Sequence, residues 1–442
     1  MNGKRMSWSL VMLGTIGLGG LLAGCSGDKG EVGKEGVGKN SVKQPAVGTE
    51  PVTIRLGAGG GAAYPDDIFQ QTVADPVKKK YPNITVELIK NQKGALDHDI
   101  ANWLASNTTP DIIAESNGRL PNLFTYGLLM DMTPLMKETG VDINRFDPLL
   151  VDPVRKTSDK GWMVAIPYGQ NWDALYYNKN IFDKFGAPYP QDRMTWDQTI
   201  DLARWLARFE NGVQYVGLHP GSTIRIADSL SLTAVDPKTN KASVNNEQWK
   251  RVFELNKRII ADLPGAMNNG KLIGQGDFWS KQNVAMMANV NRVSSAPEGF
   301  TDWDFAQYPS FPELPDRRGM VGFWVMAISS TSQHKLEAMQ VINVVTSDEV
   351  QLIGARTANM SALTNPKMVD QFGADLPVLK GKHIANIFKS KPAPAPQFSL
   401  YNYQANSLLY TEIDNYLNGK KDINTALRDA DEQINKMLAE QK

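Results

Sequence analysis

Residues 52–89 read VTIRLGAGGGAAYPDDIFQQTVADPVKKKYPNITVELI, and this stretch decides the fold class. Residues 52–56 and 84–89 are short apolar runs rich in β-branched side chains, which is typical of buried strands. Between them, residues 66–80 predict a helix that begins just after Pro65. A strand, a helix and a second strand in this order indicate a parallel pair joined by a crossover helix.

The same alternation continues along the chain. Further strands are predicted at residues 111–113, 162–168, 174–177, 215–218, 284–288, near Phe305 and at 323–328. Helices are predicted at residues 95–106, 196–209, 246–261, 335–346 and 423–441, the last with one apolar stripe. The fold class is therefore α/β. A chain of 442 residues is too long for one ordinary core, so we expect about two lobes.

The composition excludes several classes of function. Lys+Arg and Asp+Glu both number 47 and no basic block occurs, so nucleic acid is not an expected partner. A single cysteine rules out an internal disulfide. The four histidines lack metal-ligand spacing, so we expect no metal and no cofactor: His98, His219, His334 and His383. Hydrolase, metalloprotease and P-loop signatures are also missing, so we predict no catalytic residues and no enzyme.

The N-terminus is typical of an exported lipoprotein. Lys4 and Arg5 precede an uncharged apolar run at residues 8–20, and Leu-Ala-Gly-Cys follows at residues 22–25. This pattern predicts a signal peptide over residues 1–24 and resembles a lipobox, in which Cys25 is lipidated and becomes the mature N-terminus. A transmembrane anchor is the alternative, but the apolar run is shorter than the roughly 20 residues needed to span a bilayer. We therefore expect anchoring on the extracellular face of the cell membrane.

Residues 25–50 predict the lipid anchor and a flexible linker. The segment after Cys25 is rich in glycine and lysine and has no aromatic residue or leucine, so it cannot bury enough apolar surface to fold. A flexible tether of this length reaches roughly 25–30 Å from the membrane. The folded part is expected to begin near residue 51.

A glycine-rich loop at residues 57–62 fits the pattern G-x-G-x-x-A after a strand and before a helix. Dinucleotide-binding folds use this pattern to bring the backbone against a pyrophosphate. Glu87 in the next strand is followed by Leu88 and Ile89, so it is not at the strand end that such folds require. A turn that approaches another ligand is the interpretation we favour over a lipid-anchored oxidoreductase.

Nine short stretches, in order along the chain, carry a family resemblance. They are KYPNITVEL at residues 80–88, PDII at 110–113, GLLMD at 127–131, IPY at 166–168, YYNKN at 176–180, MTWD at 194–197, VAM at 284–286, AISSTS at 327–332 and ALRDA at 426–430. Together they are similar to extracellular solute-binding proteins of family 1, the maltose-binding-protein-like receptors of ABC importers. The chain departs from the family at residues 279–282, where WSKQ stands for the usual Phe-x-x-Gly.

The resemblance implies a two-lobed, type II periplasmic-binding-protein-like fold, with parallel-dominated sheets, flanking helices and a hinge. It implies a first lobe of residues 51–170 plus 305–350 and a second lobe of residues 171–304 plus 351–442. A solute binds between the lobes, which close on it and present it to permease subunits. We expect a monomer that binds a carbohydrate, an oligosaccharide in particular, with the lipid on Cys25 holding it near the importer.

Sugar sites combine aromatic rings with polar groups, so the candidate ligand-binding residues are those of both kinds at strand ends and in loops. Five tryptophans are assigned to the core: Trp103, Trp196, Trp205, Trp249 and Trp279. The candidates are Tyr64, Glu115, Asn117, Tyr168, Asn171, Trp172, His219, Asn291, Arg292, Trp324, Tyr401 and Tyr403. Because Trp172 is flanked by polar residues, its ring is predicted to face the cleft, and alanine at Trp172 or Trp324 is expected to weaken binding at least tenfold, about 1.4 kcal/mol, without unfolding.

The sequence also allows ligands other than a carbohydrate. A polyamine receptor needs several cleft carboxylates, and the sequence offers Glu115 and Asp173. A phosphorylated polyol needs more cationic groups than Arg292 alone. A sensor that uses the same fold beside a membrane kinase is a further alternative.

Overall fold

The computed structural model of the chain describes residues 50–59, 64–90 and 96–441. They form two α/β lobes, each built on a five-stranded sheet. In the first lobe the strand order is Ile84–Lys90, Val52–Ala58, Ile112–Ser116, Phe323–Ile328, Ile166–Gln170. In the second lobe it is Trp303–Ala306, Asp173–Asn178, Val284–Val290, Val213–His219, Arg208–Glu210. Three small two-stranded sheets add the pairs Arg317–Met320 with Lys391–Ala393, Val235–Asp236 with Lys241–Ala242, and Met267–Asn268 with Lys271–Leu272.

Helices cover the sheets of both lobes. Those that pack on the first core are Asp66–Phe69, Asp75–Lys80, Leu96–Ser106, Leu120–Thr125, Thr133–Thr139, Pro148–Arg155, Lys335–Val345, Asp348–Arg356 and Lys367–Asp370. Those of the second lobe are Lys179–Phe185, Trp196–Leu206, Arg225–Asp228, Glu247–Asn256, Asp277–Ser280, Asn402–Leu417 and Ile423–Glu440. The predicted helices at residues 66–80 and 246–261 each contain a π-helical turn, at Gln70–Ala74 and Lys257–Ala261. Short 3₁₀ turns occur at Asn117–Arg119, Ile143–Arg145, Val293–Ser295, Pro377–Leu379 and Ile384–Lys389.

The first three strands are parallel to one another, as their alternation with helices predicts. Val52–Ala58 runs parallel to Ile84–Lys90 and to Ile112–Ser116. Both sheets are nevertheless mixed rather than dominated by parallel pairs. Phe323–Ile328 is antiparallel to both of its neighbours, and Asp173–Asn178 is antiparallel to both of its own. The reason is that these strands enter directly from the other lobe, so no crossover helix returns the chain to a parallel direction.

The chain crosses between the lobes three times, and the crossing segments are hydrogen-bonded to one another. The first crossing follows Ile166–Gln170, the second precedes Phe323–Ile328, and the third follows Asp348–Arg356. The Gln170 amide N–H donates to the Met360 carbonyl at 2.9 Å, and the Asn171 N–H donates to the Gly322 carbonyl at 2.7 Å. These bonds tie all three segments into one hinge.

The predicted lobe boundary at residue 305 is wrong by a short segment. Phe305 lies in Trp303–Ala306, which pairs with Asp173–Asn178 in the second sheet. The third boundary also differs from residue 351, because Ala362, Leu363 and Met368 still pack in the first core. A lobe boundary depends on which of the two sheets a strand joins. The residues of the strand itself do not indicate which sheet that is. The remaining lobe limits stay a proposal.

Some predicted features lie outside the described residues. They are the signal peptide at residues 1–24, Cys25, nearly all of the linker at 25–50, and residues 60–62 of the glycine-rich loop. Within residues 50–59, 64–90 and 96–441, none of the helices combines the length and the apolar character that a membrane span requires.

Candidate functional site

A cavity of about 590 Å³ opens between the two lobes. Its first-lobe side carries three aromatic side chains, Tyr64, Tyr168 and Trp324. Its second-lobe side carries Asn291 and Val293, which directly follow the strand Val284–Val290. Four of the predicted ligand-binding residues, Tyr64, Tyr168, Asn291 and Trp324, therefore meet in one place.

The two tyrosines form one stacked wall of the cavity. The rings of Tyr64 and Tyr168 lie nearly parallel, with centroids 6.0 Å apart and an interplanar angle of 14°. The rings of Phe69 and Tyr64 form an edge-to-face pair, with centroids 6.1 Å apart. Burial raises the pKa of both tyrosine hydroxyls, so both are neutral donors at physiological pH. A wall of this kind offers an apolar face with hydroxyl groups at its edge.

Trp324 differs from the rest of its strand in burial. Five of the six residues of Phe323–Ile328 are buried, and Trp324 is the one partly exposed position of this strand. It pairs with Ser116 on one side and with Gly169 on the other. Because Gly169 has no side chain, the indole ring extends over it, with Cε3 at 3.4 Å from the point where a Cβ would stand. The ring therefore remains accessible from the cavity.

Part of the cavity comes from the third crossing segment, which sequence reasoning missed. Thr357, Asn359, Met360 and Ser361 line it. Gln351 holds this segment in place, because its side-chain oxygen accepts from the Ser361 hydroxyl at 2.6 Å and from the Ala362 N–H at 3.1 Å. Residues 357–361 have no strand or helix pattern, so the sequence offered no signal for them.

Tyr403 makes a second contact across the cleft. It belongs to the helix Asn402–Leu417, which packs in the second lobe, yet its hydroxyl lies 3.3 Å from the Ser116 hydroxyl of the first lobe. The Arg119 guanidinium covers the Tyr403 ring at 3.9 Å, a cation–π contact that sequence reasoning did not anticipate. Tyr403 stays 40 % exposed, so part of the side chain is accessible from solvent. Tyr401, by contrast, packs against the core of the second lobe.

The prediction that Trp172 faces the cleft is wrong. Its side chain is fully buried, and its Nε1–H donates to the Ala358 carbonyl at 3.0 Å. Phe305 and Phe372 meet its ring edge-on at 5.7 and 5.9 Å. The ring is thus a core residue at the hinge. The polar residue next to it, Asp173, misled the prediction because it is itself buried in an ion pair.

His219 is also not a ligand contact. It is 2 % exposed, and both ring nitrogens are engaged. Nδ1 accepts the Gly221 N–H at 2.9 Å, and Nε2 lies 3.0 Å from the Ile273 carbonyl, which it reaches as a donor. Burial lowers the pKa of His219, which favours this neutral tautomer. The histidine therefore closes a turn after its strand.

Two other candidates are mainly structural. Asn117 is buried, and its side-chain oxygen accepts the Phe323 N–H at 3.2 Å, so it links the end of Ile112–Ser116 to the start of Phe323–Ile328. Glu115 is 3 % exposed and accepts the Ser116 N–H at 2.8 Å, so it does not project as a free carboxylate. Asn171 is partly exposed beside the hinge and stays a candidate. Trp205, assigned to the core, is half-exposed instead.

Charged groups are concentrated where the second lobe faces the first. Arg318 and Asp173 form an ion pair with an Nη1–Oδ2 distance of 3.0 Å, and both side chains are 3 % exposed. Arg225 lies 3.9 Å from Asp173 and 3.9 Å from Asp228. Burial raises the pKa of Asp228 to about 7, although Arg225 opposes the shift. In the part of the chain that the structure describes, no group of three or more potential ligands could hold a metal ion.

Comparison with known sequences identifies the family. The family described as bacterial extracellular solute-binding protein matches residues 72–431. The chain belongs to this family. The resemblance found along the sequence is confirmed, and the family is one of extracellular solute-binding proteins rather than enzymes.

Solved structures of similar fold support this assignment. An ABC substrate-binding protein from Listeria monocytogenes in complex with cycloalternan superimposes with a TM-score of 0.72 at 17 % identity, covering 88 % of this chain and all of that one. The sugar-binding protein MalE from Xanthomonas citri gives 0.71 at 18 % identity, covering 88 % and 98 %. These likenesses confirm the two-lobed, type II α/β fold.

One curated relative is similar in sequence over a short region. It is the sn-glycerol-3-phosphate-binding periplasmic protein UgpB of Agrobacterium fabrum, 28 % identical over 78 residues. The match spans 18 % of this chain and 18 % of that relative.

Proposed function

We propose that this protein binds a carbohydrate, an oligosaccharide in particular, in the interlobe cleft and delivers it to an ABC importer. The observation that carries the proposal is the wall of three aromatic rings, Tyr64, Tyr168 and Trp324, in a cavity of about 590 Å³. That volume lies within the roughly 300–1,000 Å³ of small-molecule sites. A pyranose ring has an apolar face and a rim of hydroxyls, and such a wall with amides beside it complements both.

The arrangement also suits capture by closure. The rings belong to one lobe and Asn291 to the other, so a ligand between them gains contacts from both only when the lobes approach. Tyr403 already reaches Ser116 across the cleft. The fold neighbours named above include a protein in complex with cycloalternan and a sugar-binding protein, which supports a carbohydrate ligand. We expect the receptor to act as a monomer beside its permease subunits.

A lipid on Cys25 completes the proposal. The lipobox at residues 22–25 and the flexible segment that follows support an extracellular receptor tethered to the cell membrane. Cys25→Ser removes the thiol that accepts the lipid, so the variant is expected in the soluble fraction while wild type sediments with membranes. Equal sedimentation of both forms contradicts lipid anchoring and leaves the binding proposal intact.

Binding itself is tested by tryptophan fluorescence and thermal shift of the full-length protein against a panel of neutral and acidic oligosaccharides. A saturable change with one sugar class, without product formation, is the expected result. Trp324→Ala is expected to weaken that binding at least tenfold, because the ring lines the cavity. A matched control is Trp205→Ala, which removes a half-exposed ring of the second lobe. No response to any sugar, with a saturable response to another solute class, overturns the proposal.

Two alternatives from the sequence differ in their support. A polyamine is disfavoured, because Asp173 is neutralised by Arg318 and Glu115 is buried. A phosphorylated polyol keeps some support from Arg292 and from the short similarity to UgpB. The oxidoreductase alternative is set aside, since the family is one of solute-binding proteins.

A further inference from the structure

The strand Ile166–Gln170 carries a β-bulge at Tyr168. The neighbouring strand, Phe323–Ile328, pairs with the residues on either side of Tyr168 and skips Tyr168 itself. The extra residue of a bulge leaves the ladder of backbone hydrogen bonds, and bulges next to binding sites often redirect a side chain. Here the bulge occurs at a residue whose ring lines the ligand cavity.

The side chain of Gln351 binds the backbone at this bulge. Its Nε2 donates to the Tyr168 carbonyl at 2.9 Å and to the Val345 carbonyl at 3.1 Å. Its Oε1 accepts from the Ser361 hydroxyl at 2.6 Å and from the Ala362 N–H at 3.1 Å. A carboxamide has two N–H donors and two acceptor sites, so all four are used within the protein. Gln351 is 6 % exposed, so water has little access to replace these bonds.

The four bonds join parts of the cavity wall that come from separate segments. Tyr168 precedes the first crossing, Val345 ends a helix of the first lobe, and Ser361 belongs to the third crossing segment. All three line the cavity, as Gln351 does. One side chain therefore fixes the spacing between the wall of aromatic rings and the third crossing segment.

This role requires the chemistry of an amide. Gln351→Glu would present a carboxylate, which only accepts, to the carbonyl oxygens of Tyr168 and Val345. Gln351→Met would leave all four partners without their bond to this side chain. Buried polar groups that lose a partner are costly, so the backbone would move to recover hydrogen bonds. The ring of Tyr168 would move with the backbone that carries it.

We propose that Gln351 is the positioning residue of the ligand cavity. It holds the bulge at Tyr168 and the third crossing segment at a fixed spacing, and so sets where the wall of aromatic rings stands. The effect on ligand affinity rests on the proposed function. Gln351 has no donor or acceptor left for a ligand, so it acts through the groups that it holds.

The first test is hydrogen–deuterium exchange of the full-length protein, followed by mass spectrometry. In wild type the amide of Ala362 should exchange slowly although it lies in neither a helix nor a strand, because it donates to Gln351. In Gln351→Met it loses that acceptor, and a peptide covering residues 357–363 should exchange about tenfold faster. Strand Ile112–Ser116 of the same lobe should change much less. The matched control is Gln340→Met, which changes a buried glutamine of the first lobe that is not among the described residues lining the cavity.

The second test is calorimetric binding of maltotriose, cellotriose and raffinose, at a temperature where circular dichroism shows each variant to be folded. Wild type is expected to bind at least one of these sugars saturably. Gln351→Met and Gln351→Glu should bind it about tenfold more weakly, and Gln340→Met should bind it like wild type. Gln351→Glu keeps the acceptors for Ser361 and Ala362, so a loss of affinity in this variant reports the lost donors to Tyr168 and Val345.

The outcomes separate this inference from the proposed function. Fast exchange of the Ala362 amide in wild type overturns the inference, even where no variant folds. An equal rise in exchange at Ile112–Ser116 shows general destabilisation and also overturns it, as does wild-type affinity in both Gln351 variants. If no sugar binds wild type while another solute class does, the proposed function fails, and the exchange measurement alone decides whether Gln351 positions the cavity wall.

Discussion

Trp172→Ala is the substitution that most directly tests how the hinge is built. Trp172 lies in the first crossing segment, and its Nε1–H reaches the Ala358 carbonyl in the third crossing segment. Its ring contacts Tyr176, Phe305 and Phe372. The substitution should therefore destabilise the fold and loosen the link between the lobes, rather than remove a ligand contact.

The magnitude follows from these contacts. Replacing a fully buried tryptophan with alanine costs about 3–5 kcal/mol, and the loss of edge-to-face aromatic contacts favours the upper part of that range. The hydrogen bond adds little, because the Ala358 carbonyl keeps the Asn291 side-chain amide as a donor at 3.0 Å. We expect the free energy of unfolding to fall by about 4 kcal/mol, which moves the urea midpoint by roughly 1–2 M.

The assay is urea denaturation followed by far-UV circular dichroism, on the full-length protein, with Trp324→Ala as the matched control. Trp324 is partly exposed at the cavity, so its alanine variant should lose about 1 kcal/mol of stability or less. It should lose ligand affinity instead. A Trp172→Ala protein with an unchanged midpoint, or one that is stable but fails to bind, refutes the assignment of Trp172 to the core.

Three further predictions concern charge, packing and closure. Because burial raises the pKa of Asp228 from 3.8 to about 7, the folded state binds that proton more tightly than the unfolded state, and stability falls as pH rises from about 4 to 7. Asp228→Asn should remove on the order of 4 kcal/mol of this dependence in pH-resolved urea titrations, and a parallel pH profile for variant and wild type contradicts it. Gly217→Ala should unfold the second lobe or lower its melting temperature by several degrees, because an added Cβ would overlap the Ala203 carbonyl of the facing helix. Calorimetry measures the melting temperature, and a value equal to that of wild type contradicts this prediction. Tyr403→Ala should weaken ligand binding about tenfold with little change in melting temperature, since its ring is 40 % exposed in the cleft, and unchanged affinity in calorimetry counts against a role in closure.

Much of the fold could be predicted from the chain alone. The alternation that opens at residues 52–89 returns as Val52–Ala58, Asp66–Lys80 with its π-helical turn, and Ile84–Lys90. The amphipathic stripe at the end returns as Ile423–Glu440. These elements could be predicted because helix and strand periodicity depend on neighbouring residues. The antiparallel entry of Phe323–Ile328 could not, since it depends on where the chain last left the lobe.

The candidate site was only partly predictable, and the errors have one cause. Tyr64, Tyr168, Asn291 and Trp324 do meet in the cavity, because strand ends in α/β folds gather at one edge. Trp172 and His219 are likewise at a crossing segment and a strand end, yet distant residues cover them. Exposure of a side chain depends on what packs against it from elsewhere in the chain. Sequence neighbours therefore indicate it poorly.

By itself, the sequence determined the α/β class, the order of the elements and the family, because local periodicity and short motifs are properties of adjacent residues. Only the tertiary structure decided which aromatic rings face the cleft and that residues 357–361 complete its wall. It also decided that Arg318 forms a buried ion pair with Asp173. Charge balance and burial are set by contacts between segments more than a hundred residues apart, as between Asp173 and Arg318, and such contacts exist only once the chain has folded.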